Sequence, residues 1–300
     1  MSLVIVGSLA FDTIETPSER RERVIGGSAT YCALAASYFT SPYLVGVVGE
    51  DFPQEVIKLF QHRGIDLTGL EVKEGRTFHW EGRYGHDPNH RLTLKLELNV
   101  FGDFHPSLPR KYRQAGIIFL ANIDPDLQEE ILHQVVNPRL VAMDTIDHWI
   151  KNKREALFRV LKKVDILLAN EEEIKLLTDE INLIRAGRKI LQLGPELVVI
   201  KKGEHGALVL GEGWVFGVLA HPCEEVIDPT GAGDCFAGGF LGYLDRVRQL
   251  SQRAIKRAAV YGSVMASFAI EDFGIERLKN LKEEEIKERF LEFKKLVSFA

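Results

Sequence analysis

Asp228-Pro229-Thr230-Gly231-Ala232-Gly233-Asp234-Cys235-Phe236-Ala237-Gly238-Gly239-Phe240-Leu241 is the densest glycine cluster of a chain of 300 residues. It leads into an apolar helical pattern over Gly233–Leu244. Gly231-Ala232-Gly233 at such a start can turn several backbone N–H groups toward one point, and the helix dipole adds partial positive charge there. The spot suits an anion such as a phosphoryl group in transfer. Asp234 falls in the same first turn, where nearby amides are expected to keep its carboxylate ionised. A carboxylate there can take the proton of a hydroxyl as that oxygen attacks phosphorus. The plain alternative is good helix capping and nothing more. Gly238, Gly239 and Gly242, further in, permit close helix packing.

Outward from this helix, short β-branched apolar runs alternate with helical patterns. Strands are expected at Leu3–Val6, Leu44–Val48, Ile117–Ala121, Leu140–Met143, Val164–Ala169, Leu197–Ile200 and Ala207–Leu210. Helices are expected at Ser28–Tyr38, Pro53–His62, Asp126–Val135, Asn152–Leu161, Glu171–Leu177 and Asn182–Leu193, and again at Ser251–Ala269 and Glu283–Val297. Most of the strand runs are apolar at every position, as strands covered on both faces are. The fold class is therefore α/β, a mainly parallel central sheet with helices on both faces.

One region departs from this rhythm. Arg91-Leu92-Thr93-Leu94-Lys95-Leu96-Glu97-Leu98-Asn99-Val100 alternates, with leucines on one face and polar groups on the other. Thr77-Phe78-His79-Trp80-Glu81-Gly82-Arg83-Tyr84 does nearly the same, and Gly85-His86-Asp87-Pro88-Asn89-His90 between them is rich in turn formers. The pair reads as a half-buried hairpin. It forms either a small extra sheet, covering a site or joining subunits, or an edge of the main sheet.

Composition narrows the function. With 38 Lys+Arg against 43 Asp+Glu, the formal net charge of −5 argues against a protein that coats nucleic-acid phosphates. Cys32, Cys223 and Cys235 form no CxxC pair, so neither a zinc knuckle nor a disulfide framework is expected. Reduced thiols fit the cytoplasm. Leu3-Val4-Ile5-Val6-Gly7 is too short for a signal-peptide core and lacks a basic leader. No apolar stretch approaches the roughly 18 residues of a membrane span. A cytoplasmic protein without membrane partners is expected. There is no Gly-Lys dipeptide, hence no Walker A loop, and no GxGxxG. His86 and His90 flank Pro88 in a turn, so a helix-mounted metal pair is not expected.

The run Asp228–Leu241 resembles, without a departure, the C-terminal signature of the ribokinase-like (PfkB) carbohydrate kinase family. The resemblance covers essentially the whole chain. It implies a ribokinase-like fold with one α/β kinase domain over 1–300 and a small β lid whose elements are inserted near 11–25 and 75–101. It also implies an ATP- and magnesium-dependent kinase that phosphorylates a hydroxyl of a sugar. In that family the Gly-Ala-Gly-Asp segment forms an anion hole and its aspartate is the catalytic base. Gly231, Ala232, Gly233 and Asp234 take these roles by resemblance. Asp228 and Thr230 match positions at a monovalent-cation site of several members, which adds potassium to the implied cofactors.

Other matches extend along the chain. Gly7-Ser8-Leu9-Ala10-Phe11-Asp12 resembles the family's opening GxxxxD, whose aspartate binds sugar hydroxyls, since one carboxylate can accept from two vicinal O–H groups. Gly26 and Gly27 resemble the glycine pair that approaches the substrate before a helix. Many members carry asparagine where this chain has Tyr31, so Tyr31 either meets a different substrate or packs in the core. Asn170 and Glu173 match the NxxE motif that organises magnesium through water. By residue pattern alone the same pair is a capping box. Lys201 and Gly203 match the nucleotide-binding turn, with Lys202 in place of a customary apolar residue. Gly262, and Asp272-Phe273-Gly274, lie where the family forms its adenine pocket.

The implied partners are a small polyhydroxylated acceptor and a second copy bound through the lid. Phe78, Trp80 and Tyr84 face that second lid or the ligand, or simply line the hairpin's buried side. A sugar is the default acceptor, with a nucleoside or a cyclitol such as inositol as alternatives. A non-catalytic sugar or nucleotide sensor is disfavoured by the intact Asp234, Asn170 and Glu173. A dehydrogenase is disfavoured by the missing GxGxxG.

Overall fold

Successive side chains of a strand point to opposite faces, so a strand that is apolar throughout must be covered on both. The structure, a computed structural model, describes residues 2–298; Met1, Phe299 and Ala300, which end the expected 1–300 domain, lie outside the described residues. The strands are β1 Leu3–Val6, β2 Ala10–Glu15, β3 Arg20–Gly26, β4 Tyr43–Gly49, β5 Asp66–Lys73, β6 Phe78–Tyr84, β7 Arg91–Glu97, β8 Ile117–Leu120, β9 Leu140–Asp144, β10 Ile166–Asn170, β11 Leu197–Lys201, β12 Ala207–Gly211 and β13 Trp214–Val218. The helices are α1 Ser28–Ser37, α2 Gln54–His62, α3 Pro125–Leu132, α4 Asp147–Asn152, α5 Arg154–Leu161, α6 Glu171–Thr178, α7 Leu183–Leu191, α8 Ala232–Val247, α9 Gln252–Ala269, α10 Glu276–Asn280 and α11 Glu283–Val297. In β1, Leu3 and Ile5 enter a core closed by α1, α8, α9 and α11, while Val4 and Val6 enter a second core closed by α3, α5, α6 and α7.

The large sheet has the order β13-β12-β11-β10-β9-β8-β1-β4-β5. It is parallel from β11 to β5, with β12 and β13 antiparallel at one edge. The chain leaves β1 for β4 and β5 on one side and returns to β8 on the other. Such a reversal opens a crevice at the carboxyl ends of the strands. Gly7 stands at that point, where a Cβ would meet the Ala121 Cβ at 2.8 Å and the Ser28 Oγ at 2.9 Å. Helix α8 is held tightly between α1 and α9. A Cβ on Gly239 would meet the Tyr261 carbonyl oxygen at 2.7 Å, and one on Gly242 would meet the Ala36 Cα at 3.0 Å. Overpacking of this kind costs roughly 1–3 kcal/mol.

The hairpin is part of a separate sheet with the order β3-β2-β6-β7, in which β2 and β6 are parallel. Of residues 11–25, 11–15 lie in β2, 20–25 in β3 and 16–19 in the turn between them. This sheet rests on the main body through Ile14, Tyr84 and Phe273, with Val24, Trp80 and Ile227 packed around them.

Three local expectations are corrected. The leucines of β7 do not share one buried face, because the register slips between the Glu81–Lys95 and Gly82–Thr93 pairs and leaves Leu94 as an extra residue. Leu96 then sides with Trp80 and Leu92 with Arg83, and Leu92, Leu94, Leu96 and Leu98 are all exposed. A bulge reverses the face of everything beyond it. The helix expected over 152–161 is α5 and starts two residues later, because Lys153, with φ −134° and ψ 37°, separates it from α4, which went unread. Strands β5 and β13 went unread, since both are half-exposed and interleave polar or glycine residues with the apolar ones. Among the described residues, no helix is long and apolar enough to cross a membrane.

Candidate active site

The carboxyl ends of three neighbouring strands deliver Asp144, Asn170 and Lys201 to the crevice. Lys201 Nζ donates to Asp144 Oδ2 at 2.6 Å, and both side chains are largely buried. Burial alone would lower the Lys201 pKa, but the carboxylates of Asp144, Glu173 and Asp234 outweigh it and hold the amine charged. Asp144 escaped the sequence reading. An acid after an apolar run is too common to stand out, and its partner lies 57 residues away.

The turn before α8 faces this pair. Gly231 has φ +76°, a conformation that L side chains adopt rarely, and the Tyr31 ring fills the space where its Cβ would stand. The Ala232 N–H donates to the Pro229 carbonyl at 3.3 Å, whereas the amides of Gly233 and Asp234 have no protein acceptor among the described residues. Of the amides expected to form an anion hole, that of Ala232 is thus spent within the turn. Lys201 Nζ lies beside Gly233, 3.1 Å from where a Cβ would be.

Asp234 makes no capping bond, since the N-cap is Gly231 and no side chain caps the helix. The capping reading fails. The expectation that amides keep Asp234 strongly ionised is also corrected. Burial, followed by the nearby Asp144 charge, pushes its pKa up to about 7, against the pull of Lys201 and Arg91. Desolvation exceeds the dipole because no amide is bonded to the carboxylate.

On the other side of the turn, Asp12 of β2 is 4% exposed and lies where a Gly26 side chain would be. Burial and the charges of Asp228 and Asp234 push it up to about 8, partly offset by the Gly27 amide and Arg91. Gly27, φ +96°, caps α1 where a Cβ would meet the Leu9 Cα at 2.8 Å. Tyr31 is buried against Gly231, and its hydroxyl has no hydrogen-bond partner among the described residues. Asp228 accepts from the amides of Thr230 at 2.9 Å and Gly274 at 3.1 Å, which ties the glycine turn to the 272–274 loop. Thr230 Oγ1 donates to the Tyr84 hydroxyl at 3.1 Å, so β6 reaches down onto the turn.

Asn170 and Glu173 form both arms of a capping box. Asn170 Oδ1 accepts from the Glu173 amide at 2.8 Å, and Glu173 Oε2 accepts from the Asn170 amide at 2.7 Å. The second Glu173 oxygen makes no hydrogen bond, and burial followed by the Asp144 charge pushes this acid up to about 7. The box is thus structural, and one carboxylate edge remains over. Gly203, φ +54°, lies under Asn89 of the hairpin tip, and Asn89 Nδ2 donates to Glu204 at 2.7 Å. His90, also at the tip, bridges Asp87 at 2.7 Å and Glu172 at 2.8 Å. Gly262 is buried in α9, where a Cβ would meet the Phe236 carbonyl oxygen at 2.9 Å.

These parts form one arrangement. A free carboxylate stands beside unpaired amides, with a second carboxylate on the hairpin side and a third with an unused edge across the crevice. Such a set can bind a hydroxyl, take its proton and receive a phosphoryl group. Comparison with known proteins agrees. The model of the pfkB family carbohydrate kinases matches residues 2–280. A cytidine kinase of Thermococcus kodakarensis is 31% identical over 260 residues, covering 84% of this chain and 91% of that protein. A nucleoside kinase of Methanothermobacter thermautotrophicus is 26% identical over 298 residues, covering 91% of this chain and 90% of its own. The solved structure of Arabidopsis thaliana ribokinase with ribose and ATP superimposes with a TM-score of 0.76 at 20% identity, over 96% of this chain and 98% of that one.

Proposed function

The chain belongs to the pfkB family of carbohydrate kinases, and from that premise we propose that it transfers the γ-phosphoryl group of ATP to a hydroxyl of a nucleoside. The observation that carries the chemistry is the pairing of an uncapped, unbonded Asp234 carboxylate with the free amides of Gly233 and Asp234. In this reading Asp234 takes the proton from the attacking hydroxyl while the amides receive charge that develops on the phosphoryl oxygens. Asp12, mostly protonated near neutrality, both donates to and accepts from neighbouring hydroxyls of the acceptor. Trp80 stands opposite Asp12 in register and offers aromatic surface beside a ribose. The names of the two relatives favour a nucleoside. The family's description favours a free sugar as the second reading.

Glu173 fits magnesium held through water, since its second oxygen makes no hydrogen bond among the described residues, while both Asp144 oxygens are already taken by Lys201 and the Thr145 amide. That ion would draw charge off the donor phosphates. Gly203 and Lys201 would border the nucleotide. For potassium, Asp228 offers only the lone pairs left over from its two amide bonds; turnover with and without potassium tests that part. The small sheet serves as a lid, excluding water from the phosphoryl group. Its exposed leucines carry the proposal that two copies pair through it, and sedimentation of Leu92→Glu with Leu96→Glu should find a monomer if they do. Three unpaired cysteines suit a cytoplasmic setting. The deciding experiment is an ADP-release screen over nucleosides, pentoses, hexoses and inositols. ADP release with a nucleoside supports the proposal. Release with pentoses alone would move it to the sugar reading, and none with any acceptor would sink the kinase reading.

A further inference from the structure

Five carboxylates meet at the crevice: Asp12, Asp144, Glu173, Asp228 and Asp234. The buried amine among them, Lys201, is committed to Asp144. Asp12 is mostly protonated near neutrality, but the acids that remain ionised still oppose a polyphosphate, so a cation beside the proposed magnesium would favour its entry. Arg91 is placed to be that cation. It opens β7 directly opposite Tyr84 of β6, so the two side chains leave the small sheet on the same face. Tyr84 on that face is buried, and its hydroxyl is bonded to Thr230 in the glycine turn. Trp80, four residues back on β6, and Asp12, its neighbour on β2, share the face by the two-residue period.

The Arg91 guanidinium has no hydrogen bond or ion pair among the described residues. Its charge nevertheless acts on carboxylates from four separate elements, lowering Asp12 of β2, Asp147 of α4, Glu173 of α6 and Asp234 of α8. Arg91 is exposed, lies across from Tyr84 on the face that meets the glycine turn, and its charge is felt on the acceptor side, at the base and on the donor side. The residues just before it are anchored on the donor side, Asn89 to Glu204 and His90 to Glu172. The docked hairpin tip thus fixes the two residues that precede Arg91.

Resting on the phosphoryl-transfer reading above, we propose that Arg91 is a catalytic residue which the hairpin brings onto the phosphoryl group in transfer. The acceptor oxygen forms its bond to phosphorus as the bond to the ADP oxygen breaks, and the hydroxyl proton goes to Asp234. Arg91 keeps all its protons and neutralises charge on two of the equatorial oxygens through its planar fork.

The test uses the full chain as Arg91→Gln and Arg91→Lys, with two readouts. Steady-state kinetics on Arg91→Gln should show kcat down about 100-fold or more, with both KM values within roughly threefold of the parent. Calorimetry should show ADP binding unchanged, while the extra affinity that aluminium fluoride adds to ADP in the presence of acceptor falls by a similar factor. Arg91→Lys should recover part of both. Because Arg91 has no protein partner, melting temperatures should match the parent, which removes misfolding as a cause. Parental kcat in Arg91→Gln overturns the proposal. So does an equal loss of ADP affinity with and without fluoride, or a change confined to the acceptor KM. A parent that neither releases ADP nor gains affinity from the fluoride overturns the phosphoryl-transfer reading itself, and this proposal with it.

Discussion

Replacing Asp234 with Asn separates what this carboxylate does for chemistry from what it does to the fold. Asn keeps the shape but cannot accept the hydroxyl proton, so kcat should fall by about 10²–10⁴ while nucleotide binding stays within a few-fold. The parent's kcat/KM should rise tenfold per pH unit up to about 7, where Asp234 is half ionised, and level above it. The variant's residual rate should lack this step. Stability should move the other way. The folded carboxyl is raised from 3.8 to about 7, so the unfolded chain ionises first and the folded state loses stability as pH climbs between those values. In full, that gap corresponds to roughly 4 kcal/mol above pH 7. Partial exposure to the crevice screens the charge, leaving about 1–3 kcal/mol for Asn to recover. Thermal melts should thus show Asp234→Asn more stable than the parent at pH 8, with the difference shrinking toward pH 4. Undiminished turnover would refute the base assignment. A melting difference that does not change with pH would refute the argument from burial.

Other perturbations read other parts of the site. Gly231→Ala puts a Cβ at φ +76° into the Tyr31 ring, and strain and overpacking should cost on the order of 2 kcal/mol or more by melting; adding Tyr31→Leu should return part of it, and no recovery would remove the contact from the account. Asp144→Ala strands the Lys201 charge, which should cost about 3 kcal/mol, and the further change Lys201→Met should restore most of that. The His90 latch is strongest with the ring charged. Bonds to Asp87 and Glu172 raise its pKa above 6.5, so the latch is complete below the ordinary value and is lost as pH rises through the raised one. Amide exchange at residues 85–90 should accelerate with pH beyond its intrinsic base catalysis in the parent but not in Glu172→Gln, and matched profiles in the two would discard the latch.

The local parts of this protein were legible from residue order. Leu3–Val6, Leu140–Met143 and Leu197–Ile200 are apolar at every position, which two-sided burial requires. The glycines at 231, 238, 239 and 242 announced a tight helix start and close helix packing, and both are present. Asn170 and Glu173 read as a capping box because their bonds close within three residues. The parts that escaped depend on distant register. Whether the leucines of β7 share a face is settled by one extra residue opposite Glu81 and Gly82. Asp144 matters because β9 and β11 both flank β10 and bring it to Lys201. Arg91 looks like one more surface charge until its register with Tyr84 puts the two on one face of the small sheet. Acidity follows the same division. The sequence by itself determined that a carboxylate stands at the first turn of α8, through spacing and residue type alone. Only the tertiary structure decided that its pKa is pushed up to about 7, because desolvation and the charge of Asp144 arise from groups folded around it.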